Sequence, residues 1–335
     1  MTRRELSIAF QTNKTPSEYV ALATLADEQG FDAITVYNDA PFHPAYAVLL
    51  LIAPHVKRAR IGPATVQPAR VAPIDIAAQA ALLEMLAPSR TYIGLSRGAW
   101  LEAHGIQPEQ KPVAAIREAI GVIRYMLQGD IGGVTGDMYP LAAHVHTPYP
   151  LPPNAGEIPL LIGTWGPQLA AVAGELADEV KIGGSANPDF VPVMRDYIAV
   201  GERKSGREIG TVRVVSGAVC VVDNDGERAR ALARREVALY LPVVAALDTT
   251  LTVEPERVAR IKAAVEANDL ETAAAQIPDH LLDRFAFSGT PEAIIRQCEA
   301  LFDAGTSRIE FGTPHGIKSE TGIYLLGERV LPAFS

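Results

Sequence analysis

The stretch "IPLLIGTWGPQLAAVAGELADEVKIGG", residues 158–184, shows an alternation of apolar strand-like runs and a helical pattern that recurs along the whole chain. An apolar run at 160–162 ends in a glycine-bracketed corner, and an Ala- and Leu-rich helical pattern follows. A second apolar run at 179–182 then closes on two more glycines. Two short strands joined by a helix in this way are typical of a parallel β-sheet, so this stretch predicts one β-α-β unit.

The same alternation extends outward in both directions. Eight apolar runs predict strands, at 6–10, 33–37, 60–68, 91–95, 160–162, 179–182, 212–222 and 308–311. Helical patterns follow most of them, at 16–29, 44–53, 73–86, 112–127, 227–283 (broken near Pro242 and Pro255) and 291–303. The segment 129–154 interrupts this rhythm and predicts a β-hairpin or a loop.

Eight strand-helix units in 335 residues favour a closed barrel over an open, doubly wound sheet. A dinucleotide-binding sheet requires a glycine-rich turn after its first strand, but the turn "QTNKTP", residues 11–16, contains no glycine. The sequence therefore predicts an α/β fold, a (β/α)8 TIM barrel. We expect one domain over residues 1–335, with insertions at about 129–154 and about 227–285.

Composition excludes several classes of partner. The net charge of −9, with no run of Lys and Arg longer than two residues, argues against nucleic acid. The longest apolar run, residues 45–54, is too short to span a bilayer, and "MTRRELSIAF" lacks the apolar core of a signal peptide. Two cysteines make no disulfide framework or metal knuckle. We expect a cytoplasmic protein that binds neither nucleic acid nor membrane.

In a barrel, the active site lies at the carboxyl ends of the strands. The residues that follow the predicted strands are 11–13, 38–39, 64–67, 96–98, 163–166, 183–185 and 312–315. They are rich in Gly, Thr, Ser, Asn and Gln, and they lack the carboxylates that a divalent-metal site or a glycosidase needs. We expect no metal.

The glycine corners of the opening stretch allow two interpretations. Gly163, Gly166, Gly183 and Gly184 permit a close approach of the backbone, and free amides at a helix start favour a phosphate. Glycine is also common in ordinary turns between strands and helices. Trp165 favours the binding site slightly, because an aromatic side chain at such a corner can cover a planar ligand.

Four segments carry a family resemblance, namely "GLSRGAW", "KPVAAIREAIGVIRYMLQG", "IPLLIGTWGPQLAAVAGELADEV" and "SGTPEAIIRQCEALFDAGTSRIEFGTPHG". In their order and spacing they resemble the bacterial-luciferase-like superfamily. The nearest branch is that of coenzyme F420-dependent oxidoreductases, which includes methylenetetrahydromethanopterin reductase. The similarity extends from about Leu6 to Pro332. It implies a (β/α)8 barrel with an insertion and a flavin or deazaflavin at the mouth.

The resemblance also implies a set of cofactor contacts. A bulge at Pro63, Ala64 and Thr65, often with a non-prolyl cis peptide at Ala64–Thr65, supports the back of the cofactor ring. The corner Gly163, Thr164, Trp165 and Gly166 takes the phosphate, helped by Gly183, Gly184 and Ser185. Ser96, Arg97 and Gly98 line the tail or the ring edge. Arg97 pairs with a phosphate or with the acidic F420 tail, or else it forms a salt bridge on the barrel rim.

Departures from the family pattern restrict the reaction. Sugar-phosphate dehydrogenases of this branch carry a His and a Glu where this chain has Ala40 and Ala99. The acidic residue in the first strand of the reductase has no counterpart in "SIAFQTN". Neither sugar-phosphate oxidation nor pterin reduction is therefore secured by the sequence.

Asp39 and His315 are the catalytic candidates that remain. Asp39 is a proton donor or a cap of the second helix, and His315 is an acid–base group or a packed loop residue. Glu310 points into the barrel or towards the helices, and the sequence leaves both open. Asn38 is a further cofactor-binding candidate, and the acceptor carbon of the substrate is expected beside Asn38, Thr65 and His315.

The sequence thus predicts an F420-dependent oxidoreductase that transfers a hydride to or from a small organic molecule. The alternatives are an FMN-dependent monooxygenase of the same superfamily and a non-catalytic cofactor-binding subunit. By analogy with the superfamily we expect a homodimer. The Ala-rich helices at 73–86 and 112–127 either form its interface or pack on the barrel.

Overall fold

The computed structural model describes residues 4–334; the first three residues of the amino-terminal stretch considered above, and Ser335, lie outside this range. The strands are β1 (Glu5–Phe10), β2 (Ala33–Val36), β3 (Arg60–Pro63), β4 (Ile93–Leu95), β5 (Leu160–Gly163), β6 (Glu179–Gly183), β7 (Arg213–Val222), β8 (Ala286–Gly289) and β9 (Arg308–Gly316). The helices are α1 (Pro16–Gln29), α2 (Ala45–Ile52), α3 (Pro73–Leu86), α4 (Pro112–Gln128), α5 (Pro167–Leu176), α6 (Phe190–Ser205), α7 (Gly226–Ala238), α8 (Leu241–Val244), α9 (Pro255–Glu266), α10 (Leu270–Ala275), α11 (Asp279–Phe285), α12 (Pro291–Asp303) and α13 (Ser319–Leu325).

Eight parallel strands form the barrel in the order β3-β2-β1-β9-β7-β6-β5-β4. Parallel bridges between Ile61 and Thr91, and between Val66 and Leu95, join β3 to β4 and close it. The predicted (β/α)8 barrel is confirmed. The ninth strand, β8, pairs with the second half of β7 outside this circuit, and the sequence did not reveal it.

The closure between β3 and β4 depends on two glycines. A Cβ atom on Gly62 would lie 2.4 Å from the carbonyl oxygen of Tyr92, and one on Gly94 would lie 2.0 Å from that of Pro63. Both distances are far inside van der Waals contact, so only glycine lets these strands approach. The bulge that follows Pro63 is thereby held against β4.

Local signals set the helix ends. Thr15 and Glu18 form a capping box at the start of α1, and Gly30 ends the helix in the left-handed conformation. The predicted bounds of α3 and α12 agree with the structure, and both helices begin with proline in the first turn.

The two predicted insertions differ in character. In the segment 129–154, the structure shows one antiparallel bridge, between Val134 and Leu141, rather than a regular hairpin. The second contains α7 to α11, which pack around a core of their own that includes Val237, Leu241 and Phe285. Helices α7 and α8 form one wall of the barrel mouth.

The barrel strands bury both faces. Outward-facing residues such as Ile8 and Phe10 join the main core beneath the helices. Inside the barrel, Ala64, Tyr92, Leu161 and Val215 form a small apolar cluster of their own. Within residues 4–334, no helix is long and apolar enough to cross a membrane.

Candidate active site

A cavity of about 960 Å³ opens at the carboxyl ends of the barrel strands. Every barrel strand contributes to it, through residues that include Gln11, Tyr37, Asp39, Ala64, Thr65, Ser96, Arg97, Gly98, Gly163, Thr164, Trp165, Gly166, Lys181, Gly183, Gly184, Gly217, Gly312 and Thr313. This volume lies at the upper end of the range for cofactor and ligand sites. Most residues that the sequence predicted for the mouth are therefore brought together around one cavity.

Alanine and glycine residues lie where the strands reach the cavity, and their lack of large side chains leaves its volume open. Ala64, Gly163, Gly183, Gly217 and Gly312 all line the cavity, on five different strands or their ends. A Cβ atom on Gly183 would meet no atom within 4 Å, so a side chain there would project into the cavity.

The bulge after β3 forms one wall. Its Ala64–Thr65 peptide is a non-prolyl cis bond, as the sequence analysis expected. The Thr65 hydroxyl donates to Ser96 Oγ at 2.5 Å, and Gln67 Nε2 donates to the Thr65 carbonyl at 2.6 Å. Pro63 is buried at the base of the bulge and does not itself line the cavity.

The corner after β5 leads into a helix without a side-chain cap. Gly166 is the N-cap of α5, and no side chain caps this helix. A helix start leaves its first amides without an acceptor inside the helix, so those of Gln168 and Leu169 remain available at the rim of the cavity. Trp165 is fixed beside them, because its Nε1 donates to the Gly183 carbonyl at 2.9 Å and its ring packs on Phe190.

The corner after β6 differs from the expectation. The amides of Gly184 and Ser185 donate to the carbonyl of Gly217, at 2.6 and 3.0 Å, so neither is available for a phosphate. Ser185 is buried and its hydroxyl accepts from the amide of Asn187. Gly183 and Gly184 line the cavity, whereas Ser185 lies behind it.

Arg97 is exposed and lines the cavity. No acidic side chain within residues 4–334 forms an ion pair with it. The alternative of a salt bridge on the rim is thus not realised in the described structure, and the guanidinium faces the cavity.

The adjacent residues Asn38 and Asp39 have different roles. Asn38 is buried outside the cavity, where its Oδ1 accepts from the amide of Ala45, the first residue of α2. Asp39 lines the cavity, and Gln11 Nε2 donates to its Oδ2 at 2.9 Å. Asn38 therefore accepts a hydrogen bond from the first amide of α2, which is the capping role considered for Asp39. Asp39 instead lines the cavity.

His315 does not lie at the mouth, contrary to the expectation. Its side chain is fully buried, Nε2 lies 2.9 Å from the carbonyl of Ala9, and the edge of Phe10 packs against the ring. Burial lowers the pKa of His315 to about 3. Strand β9 continues to Gly316, five residues beyond the predicted end, and this extension carries His315 behind β1.

A buried ion pair that the sequence analysis missed lies at the bottom of the cavity. Lys181 Nζ donates to Glu310 Oε1, and we call these two residues the floor pair. Thr35 Oγ1 donates to the other Glu310 oxygen at 2.7 Å, and the Tyr37 hydroxyl lies 3.5 Å from Oε1. Glu310 therefore points into the barrel. Burial lowers the pKa of Lys181, and the Glu310 carboxylate opposes this effect.

Apolar side chains form the outer rim. Phe42, Trp100, Leu239, Val243 and Leu247 line the cavity and are each more than a third exposed. Glu236 of α7 also lines the cavity, and burial raises the pKa of its carboxyl group. Within residues 4–334 no three His, Cys, Asp or Glu side chains are placed to hold a metal ion.

Comparison with known proteins places this architecture in a family. The sequence profile described as luciferase-like monooxygenase matches residues 3–308. The chain belongs to the luciferase-like monooxygenase family. The match covers every barrel strand up to the start of β9, and hence almost all of the luciferase-like mouth described above.

Relatives of this luciferase-like chain match it over at least nine-tenths of its length. It is 28% identical to a 5,10-methylenetetrahydromethanopterin reductase of Methanolobus tindarius, over 92% of this chain and 94% of the relative. The solved structure of the coenzyme F420-dependent tetrahydromethanopterin reductase of Methanopyrus kandleri matches with a TM-score of 0.87 at 23% identity, over 99% and 100% of the two chains. An F420-dependent secondary alcohol dehydrogenase, solved with an F420-acetone adduct, matches with a TM-score of 0.80 at 20% identity, over 99% of each chain.

Proposed function

We propose that this luciferase-like protein is an F420-dependent oxidoreductase that transfers a hydride between the deazaflavin and a small organic substrate. One observation carries the proposal: Arg97, which has no ion pair among the described residues, shares a cavity with the uncapped start of α5 and the bulge after β3. These features suit a cofactor with a planar ring, a phosphate and an acidic tail. The names of the sequence relative and of the two structural neighbours support it.

The residues present fit such a cofactor. Ala64 and Thr65 would support the ring, the corner Gly163–Gly166 with the amides of Gln168 and Leu169 would hold the phosphate, and Arg97 would hold the tail. When bound, F420 supplies or accepts the hydride, and the protein supplies orientation and proton transfer. Asp39 is the proposed polar contact to the substrate, because its carboxylate faces the cavity and Gln11 orients it.

The apolar rim indicates the kind of substrate. Phe42, Trp100, Leu239, Val243 and Leu247 surround the entrance, and we propose that they receive a largely apolar or conjugated molecule. They would also exclude water from the ring face once a ligand is bound.

Binding of F420 and FMN tests the proposal. We expect the purified protein to quench F420 fluorescence at low micromolar concentration and to bind FMN more weakly, because FMN lacks the acidic tail that Arg97 would hold. Gly183→Val should weaken F420 binding by at least about 10-fold, since its side chain would enter the cavity without a clash in the fold. Gly121→Ala, in open space on α4, is the matched control and should bind normally.

Other outcomes assign other functions. Preferential binding of FMN, followed by oxygen-dependent turnover, would favour the monooxygenase alternative that the family description offers. Binding of F420 without turnover of any acceptor would favour the non-catalytic subunit. If the unmodified protein binds neither molecule, the proposed function is wrong.

We also propose a homodimer. Helix α3 exposes Ile74, Leu82, Met85 and Leu86, and Leu51 of α2 is exposed as well. An apolar stripe of this kind suits a second copy of the chain, through one of the two helices that the sequence singled out. Sedimentation velocity should show a dimer that Leu82→Glu dissociates, whereas Val200→Glu, on an exposed position of α6, should leave it intact.

A further inference from the structure

The ammonium group of Lys181 reaches across the barrel. Lys181 lies on β6, and its Nζ contacts Glu310 of β9 and lies 4.8 Å from the centre of the Tyr37 ring, at the end of β2. In the closed strand order, β2 lies four strands from β6, on the opposite side. The charged end of this side chain is therefore in the half of the cavity formed by β9, β1 and β2.

The two halves of the cavity differ in their contents. The cofactor-binding candidates that line the cavity lie at or after the ends of β3, β4, β5 and β6. The opposite half contains Gln11, Asp39 and Tyr37, together with the small residues Gly217 and Gly312. A substrate that meets the exposed face of a ring placed in the first half would therefore lie over Lys181 and Tyr37.

Every group facing Lys181 belongs to a defined element. Strand β9 contributes Glu310 and Arg308, and Asp39 acts from the end of β2. Strand β7 contributes the backbone of Gly217, where a Cβ atom would lie 3.0 Å from Lys181 Cε. Thr35 and Arg308, the latter 3.8 Å away, contact the Glu310 oxygen that Lys181 does not use. The carboxylate thus retains partners when the ammonium group turns towards a ligand.

We propose that Lys181 binds the oxygen of a carbonyl substrate in this cavity and donates the proton that this oxygen takes up on reduction. The inference rests on the proposed function, which supplies reduced F420 as the two-electron donor. The carbonyl carbon gains a hydride, the C–O π bond breaks, and the oxygen takes a proton from Nζ. The substrate becomes an alcohol, F420 is oxidised by two electrons, and the neutral amine regains a proton from water.

The environment of Lys181 suits this role. Burial lowers the pKa of Lys181, which makes the ammonium a better proton donor than an exposed lysine. Burial and the Glu310 charge raise the pKa of Tyr37 well above its ordinary value, so its hydroxyl stays protonated and can turn its single O–H from Glu310 to the substrate oxygen.

A coloured phenol tests this without a known substrate and without catalysis. The phenolate of 4-nitrophenol mimics the oxyanion that develops on a carbonyl oxygen, and its absorbance distinguishes it from the neutral phenol. We expect the protein to lower the pKa of bound 4-nitrophenol by about one unit or more, the size of effect that a nearby opposite charge produces. Lys181→Met should abolish this shift, and Lys262→Met, an exposed lysine on α9, should keep it.

Binding of F420 by the same variants separates the outcomes. Loss of the phenol shift in Lys181→Met, with F420 affinity within about 2-fold of the unmodified protein, supports the proposal. A shift that persists in the variant, or no shift in the unmodified protein, overturns it. Loss of F420 affinity with an unchanged phenol shift assigns Lys181 to the cofactor and also overturns it.

Two further results concern F420 binding by the unmodified protein and the folding of Lys181→Met. If the unmodified protein does not bind F420, the proposed function fails, and the proton-donor role fails with it whatever the phenol shows. If Lys181→Met does not fold, the double variant Lys181→Met/Glu310→Gln removes both charges of the floor pair together and replaces it. In that protein a persisting phenol shift again overturns the proposal.

Discussion

The barrel contains two groups of paired charges, in contact through Arg308 and Glu310, that differ in their surroundings. At the amino ends of the strands, Glu5 pairs with Arg60 and Arg213, each at 2.7 Å, and Glu179 pairs with Arg60, Arg213 and Arg308. We call these five residues the base network. At the opposite end, the floor pair consists of one lysine and one glutamate, and Lys181 faces a cavity.

This difference suggests a role in folding stability for the base network and a role in ligand binding for the floor pair. The charges of the base network pair with one another, so removal of one carboxylate would leave guanidinium groups without their partner and would destabilise this end of the barrel. The floor pair lies where barrel enzymes carry their chemistry, and its cation faces space that a ligand can fill. Arg60 and Arg213 of the base network are 24% and 27% exposed, whereas Lys181 and Glu310 are buried and Lys181 lines the cavity.

The largest expected effect is the loss of folding stability when Glu179 is removed from the base network. Glu179→Gln removes the carboxylate that faces three arginines, and we expect the free energy of unfolding in urea to fall by about 3–5 kcal/mol. Glu292→Gln, which breaks an exposed pair with Arg329, should cost less than about 1 kcal/mol. A Glu179 variant that loses F420 binding while keeping its stability would contradict the proposed division.

The next largest effect is a loss of folding stability at acid pH, as the carboxylates of the base network become protonated. The neighbouring arginines hold the pKa of Glu179 down to about 2, against the opposing effect of burial, so its contribution to stability is present above about pH 4.5 and is lost towards pH 2.

Neutral His315, with its pKa lowered to about 3, should make stability fall as pH drops from about 6.5 to 3. Urea titrations at several pH values should show a flatter dependence over that range in His315→Gln. An unchanged slope would contradict the buried, neutral histidine.

At the mouth, Arg97→Ala should change binding and leave stability unaltered. The side chain is exposed and has no acidic partner among the described residues, so its removal should weaken F420 binding by about 3- to 10-fold. The loss should shrink at high salt, because exposed charges are screened. Equal losses for F420 and FMN would show that Arg97 does not contact the acidic tail.

The smallest expected effect concerns the corner after β6. Ser185→Ala should change F420 affinity by less than about 2-fold, because Ser185 lies behind the cavity and its amide is bonded to Gly217. It should cost about 1 kcal/mol of stability through the lost bond to Asn187. A large loss of affinity on titration would restore Ser185 to the phosphate site.

Much of the mouth was predictable from the sequence, since strand ends can be located from local patterns. The cis bond at Ala64–Thr65, and the positions of Thr65, Ser96, Arg97 and Trp165 around one cavity, agree with the expectations. Asn38, Pro63, Ser185 and His315 lie outside it. Each is only one or two residues from a residue that lines the cavity, and such small shifts in direction depend on partners elsewhere in the chain.

The strand β8 was missed for a related reason. Its four residues, Ala286–Gly289, directly follow α11, so the apolar run reads as the end of a helix. Only pairing with the second half of β7, which continues beyond the end of the β6 pairing at Gly217, makes it a strand. Short apolar runs of this kind are not assigned by periodicity alone.

By itself, the sequence determined the alternation of strands and helices, the barrel rather than the doubly wound sheet, and the residues that follow each strand. These depend on spacing and on turn residues that lie close together along the chain. Only the tertiary structure decided that Lys181 meets Glu310, 129 residues away, at the floor of the cavity. Alternation along a strand shows that a side chain points inward, but closure of the barrel selects which inward charge it meets.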